Sequence, residues 1–474
     1  MRNRFSSIAV CILLAAIPQA SARIPQAGGK APAPDASWIR TSAIYEVFVR
    51  DFSPTGDFQG VIRGLDRIQA VGANVLWLMP IYPVGLANRK GTLGSPYAVR
   101  DYRATNPEFG TPADFQALVD AVHSRGMKLI LDWVPNHTAW DNVWVQQHPA
   151  YYVRNDSGGL TVPRDDKGKL TDWTDVAQLD YHNPELRRAM IDGMRYWLLK
   201  FGVDGFRVDA AGFVPDDFWR EALPQLRSSV KRPILLLAEW GDVKMHRFGF
   251  DLTYAWDSYS RLKAVWDSVP ASRFVQQEVA DLRTIPPGGM RLRFTTNHDE
   301  TAWDNPPVTR FRSAAGARAA YVAMALLPGR PLIYDGQEVE SAQKLPLFER
   351  DPINWDQPAA AAARAFYRKV VQLARTDPAF LAGDFEAVET SAPDDVIAYR
   401  RGDAVVLVNA RAHEVTITTT GARVDGLRDR LSDRVQRGST VTLPAFGAMV
   451  LESSAAPSGG PSRAPRSGAV RAGR

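Results

Sequence analysis

The sequence predicts an α/β fold: a (β/α)8 (TIM) barrel with a short insert after the third strand and a C-terminal all-β domain. Three observations predict it. Short β-rich runs alternate with helical patterns over about 340 residues from Trp38 onward. Polar and charged groups recur where those runs end, as they do on the C-terminal face of a barrel. Beyond about residue 383 the helical pattern gives way to alternating β runs. A doubly wound open sheet is the rival reading of the alternation.

The elements follow in chain order. In residues 1–22, Arg2 and Arg4 precede the apolar run "SIAVCILLAAI", and "ASA" at 20–22 is a small-x-small cleavage site. That is an export signal, too short for a membrane span, and it predicts a periplasmic or extracellular protein. Residues 23–37, rich in Pro, Gly and Ala, read as a linker. The barrel is expected over 38–382. Its strand candidates are "AIYEVFV" (43–49), "NVLWLM" (74–79), "KLILDWV" (128–134), "GFRVD" (205–209), "PILLLAEW" (233–240), "FDLTYA" (250–255), "RLRFTTN" (291–297) and "RPLIYDG" (330–336). Between them "GTPADFQALVDAVHSRG" carries Thr111 as N-cap, Pro112 at the first helical position, Asp114 three residues after the cap and Gly126 as the stop. "NPELRRAMIDGMRYWLLKFG" repeats the device with Asn183, Pro184 and Gly202. The long connection at about 138–178 holds "RNDSGG" and "PRDDKGK", turns of a small insert. Runs such as "VIAYRR", "AVVLVNA" and "VTITTTG" place a β-sandwich domain at 383–453. Residues 454–474 lack apolar bulk and are expected to be disordered.

Composition excludes several classes. Of the formal net charge of +5, two positive charges sit in residues 1–22 and four in 454–474; neither segment holds an acid, so 23–453 carries about −1. A near-neutral body with basic ends is no footprint for nucleic acid. No run after the first 22 residues has the length of a membrane span, so no membrane partner is expected, and the chain is expected to act as a monomer. Cys11, the only cysteine, lies in the export signal, which leaves the rest without a disulfide, thiolate metal site or cysteine nucleophile. The 13 Trp, 14 Tyr and 20 Phe exceed what a core alone asks for and suit sugar rings, whose apolar faces stack on flat side chains.

The strand ends supply a coherent polar set. The third strand ends in "DWVPNH", with Asp132, Asn136 and His137; the fourth gives Arg207 and Asp209; the fifth gives Glu239; the seventh ends in "TTNHDE", with Asn297, His298 and Asp299. Arg207 and Asp209 stand two apart in a strand and therefore share a face. They read either as a structural ion pair or as a carboxylate kept ionised for attack. Carboxylates on three different strands converge on one barrel mouth, where like charges cost stability unless they perform chemistry. Two carboxyl groups in different environments are what glycosidic cleavage needs. On that reading Asp209, held by Arg207, attacks the anomeric carbon. Glu239, after the run Ile234-Leu235-Leu236-Leu237 and before Trp240, holds a proton for the leaving oxygen. Asp299 fixes sugar hydroxyls, and His137 and His298 offer uncharged donors. A metal hydrolase competes, yet the seven histidines form neither an H-x-H nor an H-E-x-x-H motif.

"DWVPNH", "GFRVDA", "AEW" and "TNHDE", in this order and spacing, resemble the four signature segments of the α-amylase family, glycoside hydrolase family 13. "VLWLMPIYP", "GSPYAVRDYRATNPEFGT" and "IYDGQE" are similar to the same family, and the resemblance covers about 38–450. It implies a retaining mechanism through a covalent glucosyl–enzyme intermediate. It also implies that Asp209 is the nucleophile, Glu239 the acid/base and Asp299 the transition-state stabiliser. Arg207, His137 and His298 match sugar-binding positions, and Tyr97 in "SPYAV" matches the aromatic platform under the glucose being cleaved.

The departures concern substrate and metal. Many α-amylases carry a Lys-His pair three and four positions after the nucleophile; Gly212 and Phe213 stand there. The family's calcium joins insert to barrel through an Asn of the first segment, an Asp before the fourth strand and that His. The chain has Asn136, but Gln178 and Phe213 hold the other two places. No cofactor is therefore expected to be required. The expected substrates are starch-type α-glucans, leaning toward malto-oligosaccharides or cyclodextrins, cleaved at α-1,4 bonds. An α-glucosidase or α-glucanotransferase is the alternative, and a catalytically inactive sugar-binding protein is the reading from another class.

Overall fold

The computed structural model describes residues 37–165 and 167–453. The expected export signal, all of the expected linker but Ser37, Asp166 and residues 454–474 lie outside the described residues; Ser37 opens a short helix, Ser37–Arg40. Eight parallel strands close a barrel: β1 (Ile44–Val47), β2 (Val75–Leu78), β3 (Lys128–Trp133), β4 (Gly205–Val208), β5 (Leu235–Ala238), β6 (Leu252–Tyr254), β7 (Met290–Arg293) and β8 (Arg330–Tyr334). All eight strand candidates are present, each shorter than its β-rich run. The ladder stops where the chain turns outward to present polar groups.

The strands are buried along almost their whole length because helices cover the outside of the sheet. Helix α1 (Pro112–Ser124) starts in a capping box: the Asp114 N–H donates to Thr111 Oγ1 (3.2 Å), and the Thr111 N–H donates to Asp114 Oδ2 (2.9 Å). Helix α2 (Pro184–Lys200) starts on Asn183, whose side chain accepts from the Glu185 N–H at 2.8 Å. Gly126 follows α1 at φ +69°, a left-handed turn that glycine makes without penalty. No helix of the described residues is long and apolar enough to cross a membrane.

Three registers matter for the site. Asp132 of β3 lies beside Arg207 of β4. Glu46 of β1 lies beside Trp77 of β2 on one side and Tyr334 of β8 on the other. The seam between β1 and β8 is pinned above the ladder by Asp335, whose carboxylate accepts the Phe48 N–H (2.9 Å), and by Glu338, which accepts from the Tyr45 hydroxyl (2.6 Å).

After β3 the chain forms an antiparallel ribbon from His137–Ala139 and Val176–Gln178, with two tight excursions between them that close at Arg154–Leu160 and Arg164–Leu170. The C-terminal region packs a five-stranded antiparallel sheet on a three-stranded one. Val396, Ala398, Val405 and Leu407 face Ile417, Val441 and Leu443 across the sandwich. The alternate residues Ile397, Tyr399, Val406 and Val408 join the barrel's core, so these strands are apolar on both faces. Buried Arg401 fixes this docking by donating to Leu326 O (3.0 Å) and Phe380 O (2.8 Å).

Candidate active site

Backbone ladders carry the key carboxyls one residue past the strand ends. The Asp209 N–H donates to Trp133 O (2.8 Å), and the Glu239 N–H donates to Val208 O (2.9 Å). Both side chains then reach Arg207, which is fully buried. Arg207 Nη1 lies 2.9 Å from Asp132 Oδ1 and 3.1 Å from Asp209 Oδ1, and Nη2 lies 2.8 Å from Glu239 Oε1. The last contact is an ion pair off the line of the N–H bonds rather than an aligned hydrogen bond. Arg207 Nε donates to the Tyr254 hydroxyl (3.2 Å). One guanidinium thus faces three acids.

Directly after Asp209 the chain takes an uncommon turn. Ala210 sits in the left-handed region at φ 43°, ψ 40°, a conformation that costs a non-glycine residue about 1 kcal/mol or more. The turn aims the Ala210 N–H at Glu239 Oε2 (2.8 Å). Local strain therefore holds the second carboxyl in place.

The opposite wall comes from β7, β1 and the loop after β2. Asn297 caps helix α3 (His298–Trp303) by accepting the Glu300 N–H (3.0 Å), which puts His298 and Asp299 in the first turn. His298 Nδ1 lies 2.5 Å from Glu46 Oε1, and Nε2 lies 2.7 Å from the Tyr97 hydroxyl. Tyr97 in turn donates to Asp132 Oδ2 (3.1 Å), as does Trp77 Nε1 (3.2 Å). The Tyr97 ring stacks on His298 with centroids 5.3 Å apart.

The structure thus brings together Tyr97, Arg207, Asp209, Glu239, His298 and Asp299. His137 is buried nearby, but its contacts are with Asn136 and, edge-on, with Trp173 rather than with the carboxyls. Sequence reasoning left Glu46 and Trp77 out, and it gave Asp132 no role. The available signal was a lone acid inside the apolar run of β1, since Glu46 can share a barrel with aliphatic neighbours only if something pairs with it.

Two expectations about charge change. The first gave Arg207 to Asp209 alone and left Glu239 protonated. Burial instead raises both carboxyls above their usual range, Asp209 well above it; Glu239's charge adds to the rise of Asp209, Asp299's charge adds to that of Glu239, and Arg207 opposes both. The proton belongs to the cluster and is not assigned to Glu239 by its aliphatic neighbours. The second expectation was two neutral histidines. Burial holds His137 down at about 3, so it is neutral. Burial would also lower His298, but the charges of Asp299 and Glu46 overcome it and raise His298 to about 9. His298 is a cation at neutral pH because Asp299 stands beside one ring nitrogen and buried Glu46 grips the other.

Gly212 and Phe213, which replace the Lys-His pair, have a structural counterpart. A Cβ on Gly212 would stand 2.0 Å from Cε2 of Trp240, so the indole occupies the space a side chain there would need. Phe213 meets Trp240 edge-on at 5.1 Å and lies 6.0 Å from Trp173. An aromatic wall beside Glu239 stands in place of a cationic pair.

At the junction of insert and barrel, the Gln178 amide nitrogen donates to Asn136 Oδ1 (3.1 Å), Asn136 O (3.1 Å) and Leu179 O (3.2 Å). Gln178 Oε1 accepts the Arg164 N–H (3.3 Å). An amide N–H2 among three oxygens fills the role of a small cation, and no carboxylate is among them. This donor set does not fit a calcium ion, which wants six to eight oxygens including acids.

Comparison with known proteins agrees with this geometry. The family description "Alpha amylase, catalytic domain" matches residues 35–232. An α-amylase from Lactobacillus plantarum superposes with a TM-score of 0.77 at 32% identity, covering 88% of this chain and 99% of that one. A noncanonic maltogenic α-amylase from Thermotoga neapolitana gives 0.76 at 30%, covering 87% and 98%. A trehalose synthase/amylase from Mycobacterium tuberculosis is 28% identical over 79% of this chain and 82% of its own.

Proposed function

The chain belongs to the α-amylase family of glycoside hydrolases, and from that premise we propose that it cleaves α-1,4-glucosidic bonds with retention of configuration. One observation carries the proposal: carboxyls from different strand ends, Asp209 and Glu239, share one buried guanidinium, with Asp299 beside His298 near enough for its charge to act on both. Burial and repulsion favour a proton shared between the two carboxyls, and retaining cleavage starts from one proton on the pair.

The steps follow from position. Asp209, ionised against Arg207, attacks the anomeric carbon, and Glu239 gives its proton to the departing glycosidic oxygen. A covalent glucosyl–Asp209 ester results. Glu239, now a carboxylate, takes a proton from water, whose oxygen attacks the same carbon and releases Asp209. Asp299 and cationic His298 hold hydroxyls of the distorted ring, and Tyr97 lies beneath its apolar face. Arg207 neutralises the cluster's charge throughout.

The aromatic wall of Trp240 and Phe213 supports malto-oligosaccharides or cyclodextrins as preferred substrates over long starch chains, since stacking on whole rings replaces a cationic contact. The likeness to a trehalose synthase/amylase supports a second reading, transfer of the glucosyl unit to a sugar instead of water. Separation of products from starch, maltoheptaose and β-cyclodextrin tests both. Hydrolysis products alone support the first reading, and rearranged or lengthened products support the second. We further propose that residues 1–22 direct export and that the enzyme acts as a monomer without a required metal; N-terminal sequencing that begins after Ala22 would support the export signal.

A further inference from the structure

Among the described residues Trp303 is the most exposed large apolar side chain, at 64%, and the only aromatic of that group. Single exposed hydrophobic residues are ordinary, so position has to decide what this one means. Trp303 closes α3, the helix that opens with His298 and Asp299. Four residues on from Asp299, it lies on the same helix face, one turn and about 6 Å further along the axis. Asp299 itself is one-third exposed and 3.4 Å from His298 Nε2, so that face looks into the cleft.

The indole is also propped. It tilts against Phe348, with centroids 5.6 Å apart at 59°. Phe348 is fixed from behind: its carbonyl accepts the Leu93 N–H (3.0 Å), and the Lys90 ammonium lies 6.0 Å from its ring. The next residue, Glu349, accepts the Thr92 N–H (2.8 Å). The loop that ends in Tyr97 and the segment after β8 therefore form one rim, on which Trp303 rests with its surface in water. Tyr97 lies at the floor beside His298, and Trp303 lies at the edge beside Asp299.

We propose that Trp303 is a stacking platform for a glucosyl ring of the bound α-glucan beyond the ring that is cleaved, and so a determinant of chain-length preference. The inference rests on the α-glucan reading above. An exposed indole on a rigid prop offers a flat apolar face at little cost in side-chain freedom, which suits the apolar face of a pyranose. The contact concerns rings remote from the reacting carbon, so its loss acts on binding of long substrates and leaves the bond-breaking groups untouched.

Trp303→Ala and Trp303→Phe are to be compared with wild type on a malto-oligosaccharide ladder. The expected result for Trp303→Ala is a fall in kcat/KM of about tenfold on maltoheptaose, mostly in KM, and less than about twofold on the shortest oligosaccharide cleaved. Trp303→Phe, which keeps a flat ring, should recover most of the loss. An equal fall at every length would show a merely structural role and overturn the proposal, as would no fall at any length. A wild-type protein that cleaves no malto-oligosaccharide would instead refute the α-glucan reading itself.

Discussion

Arg207 and Glu239 form an ion pair of 2.8 Å, closer than the 3.1 Å between Arg207 and its strand neighbour Asp209. The guanidinium therefore tunes both carboxyls, and a single ammonium cannot reproduce its planar reach. Arg207→Lys is expected to lower kcat by about two orders of magnitude or more. Weaker compensation lets burial raise the acids further, so the acidic limb of the pH–rate profile should move to higher pH. An unmoved limb would show that Arg207 does not set the cluster's titration.

Asp209→Asn and Glu239→Gln should each lower kcat by about three orders of magnitude with folding intact, because attack and proton donation are separate large terms. Proton NMR early in wild-type hydrolysis should show the α-anomer first. Early β-anomer, or either variant within tenfold of wild type, would contradict the assigned roles.

Asp299 and Glu46 together overcome burial and raise His298 to about 9, above its ordinary value of about 6.5. A raised histidine contributes stability that is complete below about 6.5 and lost as pH rises through about 9. Glu46→Gln should lower the His298 value, so the alkaline limb of activity should move toward neutrality. NMR titration of His298 in the variant checks this directly, and an unshifted midpoint would leave Asp299 as the sole source of the rise.

Gly212→Ala places a methyl where the Trp240 ring lies. Overpacking of this kind costs about 1–3 kcal/mol. Urea unfolding should show that loss, and tryptophan emission should report a displaced indole. If both are unchanged, the cleft has room there and the wall is not fixed by Gly212.

The Gln178 amide already satisfies Asn136 Oδ1, Asn136 O and Leu179 O. Excess chelator should therefore leave the melting temperature unchanged. A drop of several degrees, reversed by added calcium, would mean that a metal holds the insert after all.

The barrel was legible because its strands are short, apolar and ended by polar residues, and because Thr111 and Asn183 announce their helices. Asp209 and Glu239 were legible for the same reason, each standing at a strand end, and Asp299 because it closely follows the seventh strand run. What stayed hidden depends on contacts across the barrel. Glu46 meets His298 only when β1 closes the ring, so its share of the histidine's charge could not be read from "TNHDE", which shows Asp299 alone. Gly212 explains itself only beside Trp240, and Gln178 only beside Asn136. Arg207's preference among three acids was likewise a matter of reach that strand alternation does not specify.

The seam between β1 and β8 has a kinetic consequence. Ile44 pairs with Leu332, so the contact that shuts the ring joins points roughly 290 residues apart, and such distant pairings form slowly. The first strand must wait, one edge unpaired, until the chain has been made as far as Tyr334. Asp335 and Glu338, which tie down Phe48 and Tyr45, arrive only with the last strand. A chain cut short between Asp299 and Arg330 would hold the active-site residues and still present two open edges, a species prone to aggregate rather than a smaller enzyme.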